Sequence, residues 1–363
     1  MSNQSMTRGQ QRRNARRTHG FTLIELMVAM LLGLIVIGGV SSVFLAGQQT
    51  YRTNEALGDV EDGSRTAFEL LSRDIRNAGL TGCDDTSGRI ANVINPNSSG
   101  NTYWYANWNY ALQGFDDAST DPALTGITGD GTPVKGTSSI ELLSTASSDV
   151  VVTWNTSNGS GSPGNFAINA PSSLLATGQI IMVCDFNQAT ILQITSYSGN
   201  QRVIHNSGSG TPGNCTKGMG LPVVCSANGN NHDYANNGRV AILTAVDWYI
   251  GTSSKASSGK SLYRLTVSYS SGSPTFTPVE MVRNVTGMTI NYLQSSGTPS
   301  VGVMPGALPG TGFVTATNVT NWANVYAAQA TLTVQSSFTR ASVNATPLSR
   351  PFTSTTAVRN RTP

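Results

Sequence analysis

The sequence predicts an α+β fold in which one long N-terminal helix, membrane-spanning in its first half and amphipathic in its second, packs on a large antiparallel β-sheet domain. Three observations lead there. Residues 21–46 form an apolar run whose one charge is Glu25. Residues 57–78 repeat apolar positions every three or four residues, the spacing of a helix with one buried stripe. After Gly79 the chain of 363 residues turns rich in Ser, Thr, Asn and Gly, broken by short apolar runs of strand character.

Roughly 20 helical residues cover a hydrocarbon core of about 30 Å, so the run from Phe21 to Ala46 is long enough to span. Ahead of it Arg8, Arg12, Arg13, Arg16 and Arg17 stand with no acid among the first 20 residues. By the positive-inside rule this leader stays in the cytoplasm, and everything after Ala46 is exported. A carboxylate near the middle of a membrane helix costs about 2.5–3.5 kcal/mol, so Glu25 calls for a partner or a function, unless it reaches the headgroups from near the helix end. A secretory signal carries its small-residue cleavage site after the apolar region; here the small residue, Gly20, precedes it.

Leu57, Val60, Ala67, Phe68, Leu71, Ile75 and Ala78 form the stripe of the second half, with Glu61–Arg65 and Glu69–Arg73 placed at i,i+4 on the outer face. Gly79 is placed as the left-handed residue that ends the helix, which thus runs from Phe21 to Ala78. Gly38 and Gly39 suit either a bend or close packing against another membrane helix. Beyond, "YRLTVSYS" at 263–270 alternates, "MTINY" at 288–292 and "ATLTVQ" at 330–335 do likewise, and "IIMVC", "ILQIT" and "VAILTAVDWYI" read as buried strands. Long loops are expected at about 95–140, 206–235 and 295–313.

Of the 22 Lys and Arg, five lie in the leader; the 17 that remain face 19 Asp and Glu. No basic run follows residue 20, which argues against direct nucleic-acid binding. Four cysteines, Cys83, Cys184, Cys215 and Cys225, fall in the exported part and predict two disulfides. Three connectivities are open. The pairing favoured here is Cys215 with Cys225, close together in a loop-rich stretch, and Cys83 with Cys184. No CxxC pair occurs and no metal or cofactor is expected.

His205 and His232 lie in Gly/Asn-rich stretches and read as solvated loop residues, not catalytic bases. "SSGKSL" at 257–262 lacks the first glycine of a phosphate-binding loop, having Ser254 there, and reads as a hairpin loop. The aromatic cluster Tyr103, Trp104, Tyr105, Trp108 and Tyr110 could stack on sugars or anchor a partner, although packing over the β core is the favoured reading. "TGDGTP" at 128–133 and "NGNNHDYANNG" at 228–238 hold oxygen ligands for calcium without a full EF-hand pattern, and turns are favoured.

"GFTLIELMVAMLLGLIVIGGV" resembles the class III signal of type IV pilins and type II secretion pseudopilins. The resemblance implies cleavage between Gly20 and Phe21 by a membrane aspartyl prepilin peptidase, then N-methylation of Phe21. It divides the chain into a cleaved leader, 1–20, a transmembrane and spine helix, 21–79, and a periplasmic β-rich domain, 80–363. It also gives Glu25 a partner, because the new Phe21 amine of a neighbouring subunit can meet it in a helix bundle, where opposite charges attract strongly. "AFELLSRDIRNAGLTGC", "GQIIMVCDFNQATILQIT", "DWYIG" with "SLYRL", "VEMVRNVTGMTINY" and "NVYAAQATLTVQSS" with "RPFTSTTAVRNR" are similar to PilW-family minor pilins, in their order. The family implies a non-enzymatic structural subunit without cofactors, anchored in the inner membrane and later extracellular in the pilus. Its partners would be other minor pilins, the major pilin and a tip adhesin, and its roles would be priming assembly, adhesion and twitching motility. A minor pseudopilin of type II secretion, and a carbohydrate- or surface-binding module carried by the pilus, are the alternatives.

Overall fold

The computed structural model describes residues 20–82, 89–155, 164–234, 238–270, 272–295, 312–338 and 346–359. The chain divides into two compact units, Met1–Arg52 and Thr53–Pro363. Helix α1, Leu23–Asn77, begins in the first and ends in the second. In the first unit it is the helix, among the described residues, long and apolar enough to cross a membrane, and its side chains, from Leu23 at 78% to Leu45 at 64%, stand exposed. Apolar surface on that scale needs a bilayer or other helices around it.

In the second unit α1 buries Ala56, Val60, Ser64, Ala67, Leu71 and Ile75. These recur at intervals of three and four residues, so one stripe faces the sheets. The sequence placed Leu57 in that stripe; it is 37% exposed, and Ala56 turns inward instead. Small residues at 56, 64 and 67 let the helix approach closely, and a Cβ on Gly63 would already touch Val334. The stripe joins Leu142, Trp248, Ile250, Met288, Ile290 and Leu332 in the largest core. Gly79, at φ 76°, ends the helix, and its N–H donates to Leu143 C=O at 2.8 Å. The expected pairs Glu61–Arg65 and Glu69–Arg73 do not close to ion-pair distance.

The strands are β1 (Ile90–Asn92), β2 (Leu112–Phe115), β3 (Ser139–Asn155), β4 (Asn165–Ile168), β5 (Ile180–Cys184), β6 (Ala189–Gln193), β7 (Arg202–Ile204), β8 (Gly238–Thr252), β9 (Lys260–Ser270), β10 (Ser273–Arg283), β11 (Val285–Gln294), β12 (Val325–Gln335) and β13 (Ser349–Ala357). Ten of them form one sheet, ordered β1-β6-β5-β8-β3-β4-β7 with β9 and β10 following β8 and β2 beside β3; β11-β12-β13 form a second. The pairs are antiparallel except β1 with β6.

β3 and β8 hold the large sheet together. Each is long enough to pair with one partner along its first half and another along its second. β3 was not foreseen, and its first residues fall where a loop was expected. The reason is Ser147-Ser148-Asp149, which reads as a turn; in the structure it is a bulge, with Asp149 at φ 58° and a register shift against β8. The expected loop at 95–140 also contains β2 and four 3-10 turns. Most of the expected loop at 295–313 lies outside the described residues.

Candidate functional site

Helix α1 opens on a reciprocal pair of contacts. Thr22 N–H and Thr22 Oγ1–H each donate to Glu25 Oε2 at 3.1 Å, and Glu25 N–H donates back to Thr22 Oγ1 at 3.3 Å. This is a capping box: a helix leaves its first N–H groups without partners, and the Thr-x-x-Glu spacing satisfies two of them. The signal is local and legible in the sequence, since Thr22 and Glu25 stand three residues apart at the head of the apolar run and give Glu25 a partner in its own chain. Both bonds fall on Oε2, which leaves Oε1 for a second partner.

The cap also defines where the helix does not reach. Gly20 and Phe21 precede it, exposed and non-helical. A Cβ added at Gly20 would meet no atom within 4 Å, and Gly20 has no positive φ, so nothing in the described structure demands a glycine there. The demand must come from outside the fold. An exposed, non-helical bond beside a small residue is what a peptidase can take into its cleft.

The aromatic segment packs inward except for Tyr110, which is 40% exposed. Tyr105 is 3% exposed, stacks on Tyr103 at 5.2 Å and meets Phe276 at 5.4 Å, while Trp104 lies 5.9 Å from Phe276. Tyr103, Trp104 and Trp108 are half-buried against the cluster of Leu143, Ile180, Met182 and Leu243. Burial pushes the Tyr105 hydroxyl above its ordinary range. Tyr105 therefore cannot be part of a binding face, and the sugar-stacking surface loses its central ring.

Cys215 and Cys225 are joined by a disulfide, with Cα atoms 4.9 Å apart. Cys184 is disulfide-bonded too. Cys83 lies outside the described residues.

His205 is not a solvated loop residue, contrary to the sequence reading, whereas His232 does lie in a loop and is partly exposed. His205 is fully buried against Phe166, both ring nitrogens lack a hydrogen-bond partner, and burial lowers its pKa to about 4. It stays neutral at ordinary pH. His232 Nε2 sits 2.6 Å from Asp185 Oδ2, and its hydrogen bond helps lower the Asp185 pKa against the opposing effect of burial. Composition misled for His205, because β7, paired with β4, carries the Gly/Asn-rich chain into a core.

Three carboxyl groups meet inside the large sheet. Glu141 on β3 and Asp247 on β8 are cross-strand partners. Asp121 faces both, accepting from Ala123 N–H at 2.8 Å and Ser139 Oγ–H at 2.5 Å. Desolvation, then mutual repulsion, pushes Glu141 and Asp247 well above the usual carboxyl range, and burial raises Asp121 as well. Glu141 Oε1 and both Asp247 carboxyl oxygens are buried without a hydrogen-bond partner, so proton uptake, which burial favours in all three acids, is what lets them pack together. Among the described residues no group of three His, Cys, Asp or Glu is arranged to hold a metal ion. At the first calcium candidate, 128–133, Asp130 is engaged by Ser254 N–H at 2.8 Å and Ser254 Oγ–H at 2.7 Å, tying a turn to the β8–β9 hairpin. Residues 235–237 of the second candidate lie outside the described residues.

Residues 15–41 match the family model of the prokaryotic N-terminal methylation motif. The motif marks a type IV pilin-like subunit, of a pilus or of a pseudopilus. It points to a structural protein processed by a prepilin peptidase and assembled with other pilins, and with the exposed helix it fits a membrane-anchored subunit. No curated protein and no solved structure matches the chain.

Proposed function

We propose that this chain is a minor pilin of the PilW family, held in the inner membrane with its β domain in the periplasm, and incorporated at or near the tip of a type IV pilus. The methylation motif at 15–41 carries the pilin part of the reading. Its small residue, Gly20, lies just outside the capped helix, where the chain is open to cleavage. Removal of the leader frees the Phe21 amine for methylation, one residue before the capping box. The exposed apolar half of α1 then passes from bilayer to helix bundle without changing its surroundings from apolar to polar. The tip position, the priming of assembly, and the support of adhesion and twitching motility rest on the PilW resemblance. Cys184 is proposed to pair with Cys83, which would tie the segment after the spine helix to β5.

The test follows Gly20→Val and the wild-type chain in the native host. Wild type should appear in sheared pili as a minor component beginning at N-methylated Phe21, and Gly20→Val should remain in the membrane at full length. Normal maturation of Gly20→Val would overturn the reading. Recovery with a secretion pseudopilus, and not with pili, would replace the pilus role by the pseudopilin one.

A further inference from the structure

In an antiparallel ladder alternate residues turn both backbone groups to the partner strand, and those between turn theirs away. Sheet edges therefore present a definite set of outward N–H and C=O groups. The long edge strands of the second unit treat this set differently.

On β9, Ser253 N–H donates to Gly259 C=O at 2.9 Å, so odd residues face β8 and even residues face β10. Thr266 pairs with Thr277 and Ser268 with Thr275, which turns Pro274, Phe276 and Pro278 of β10 outward. Two of those three positions are prolines with no N–H to offer, so this edge is closed. The outer edge of β11 is occupied. Met288 C=O accepts from Ser138 N–H at 2.8 Å, Ile290 N–H donates to Ser138 Oγ at 3.2 Å, and Tyr292 exchanges both backbone bonds with Val314.

β13 is different. Leu348 C=O accepts from Ser336 N–H at 2.7 Å, Val358 N–H donates to Tyr326 C=O at 2.8 Å, and the register between them is unbroken. Residues 350, 352, 354 and 356 thus face β12, and Pro351, Thr353, Thr355 and Ala357 face outward. Pro351 closes the start. Thr353, Thr355 and Ala357 are exposed, with outward backbone groups, and among the described residues β13 pairs with β12 alone.

We propose that residues 353–357 of β13 receive an extended strand of a partner polypeptide, which would add a fourth strand to the β11-β12-β13 sheet. Main-chain bonds would carry the affinity, since the side chains here are small. Charge selects the occupant. Arg350 is exposed at one end, and residues 349–359 contain no acid, so the fitting strand is uncharged in its middle and acidic where it passes Arg350. A second copy fits badly. Its β10 edge is blocked by prolines over 274–278 and its β11 edge is occupied, and the β13 strand of another copy, with no acid in 349–359, offers Arg350 no counter-charge.

The inference goes beyond the pilin reading and is tested without relying on it, by a photo-crosslinking residue in place of Thr353 in the full-length chain in its native cells. A discrete adduct should form with a different polypeptide, mapping to an extended segment with flanking Asp or Glu. Thr355→Pro, which removes one outward N–H and no ladder bond, should lower its yield about tenfold or more, while Thr355→Val should not. Hydrogen exchange gives a measure free of substitution: the Thr353, Thr355 and Ala357 amides should exchange freely in the isolated chain and slow about tenfold or more in the complex. No adduct, an adduct between two copies, equal yield from Thr355→Pro, or unchanged exchange would each overturn the proposal. Absence of the chain from pili alongside a normal adduct would overturn the pilin reading alone.

Discussion

Asp74 Oδ2 accepts two hydrogen bonds at once, from Trp248 Nε1 at 2.9 Å and from Arg264 Nε at 2.7 Å. The contact joins the last turns of α1 to neighbouring strands β8 and β9, and the guanidinium lies 6.0 Å from the Trp248 ring centre. Trp248 is 1% exposed, so its N–H has no water to turn to. Arg264 keeps partial contact with solvent, which weakens the ionic share. Asp74→Ala should therefore destabilise the second unit by about 2 kcal/mol, mostly through the stranded indole N–H. Asp74→Asn, which keeps an acceptor, should cost less. Urea unfolding of the detergent-solubilised chain, followed by tryptophan fluorescence, measures both.

The buried trio of Asp121, Glu141 and Asp247 makes the fold sensitive to alkali. All three hold protons in the folded state more tightly than in the unfolded one, where they titrate near pH 4. The folded state thus binds more protons above that pH, and stability is lost as pH rises through the folded-state values. Asp247→Asn, which cannot ionise, should flatten this loss and raise the unfolding midpoint at pH 8. Denaturation at pH 5, 7 and 9 tests it; a wild-type midpoint that climbs from pH 7 to 9 would contradict the protonated trio.

His205 works in the opposite direction. Its folded pKa of about 4 lies below the 6.5 of a free imidazole, so the unfolded chain binds the extra proton first. Stability is intact above pH 6.5 and is lost as pH falls toward 4, by on the order of 3 kcal/mol in all. His205→Leu gives up no hydrogen bond, because neither ring nitrogen makes one. The variant should show a shallower acid limb with little change at pH 8. Comparing the two pH profiles separates His205 from the carboxyl trio.

What could be read in advance was local. The class III signal around Gly20, Phe21 and Glu25, the helical stripe through Val60, Leu71 and Ile75, and the alternating β9 depend on neighbours a few residues apart. β3 was lost because a bulge residue such as Asp149 looks like a turn residue. β13 was lost because its outward threonines resemble loop composition. The carboxyl trio could not be found at all, since Asp121, Glu141 and Asp247 meet only through the β3–β8 register. His205 was misjudged for the same reason: burial comes from the sheet, not from the Gly and Asn beside it.

The capping box sharpens what can be asked of Glu25. If the carboxylate serves its own helix and nothing more, Thr22→Ala and Glu25→Ala should act alike, each costing about 1 kcal/mol at a helix end that the membrane largely holds in place. If its charge also meets the Phe21 amine of a neighbour, the two variants should part. Glu25→Gln decides between them, because a glutamine at this position completes a capping box as glutamate does but carries no charge. All three variants keep the Gly20–Phe21 bond and should be cleaved. Thr22→Ala should enter pili at near wild-type levels, while Glu25→Gln and Glu25→Ala should leave processed subunit stranded in the inner membrane, with fewer pili per cell. Immunoblots of sheared pili against membrane fractions measure the split. Normal incorporation of Glu25→Gln would assign the carboxylate to the cap alone and rule out the intersubunit pair that the resemblance implies.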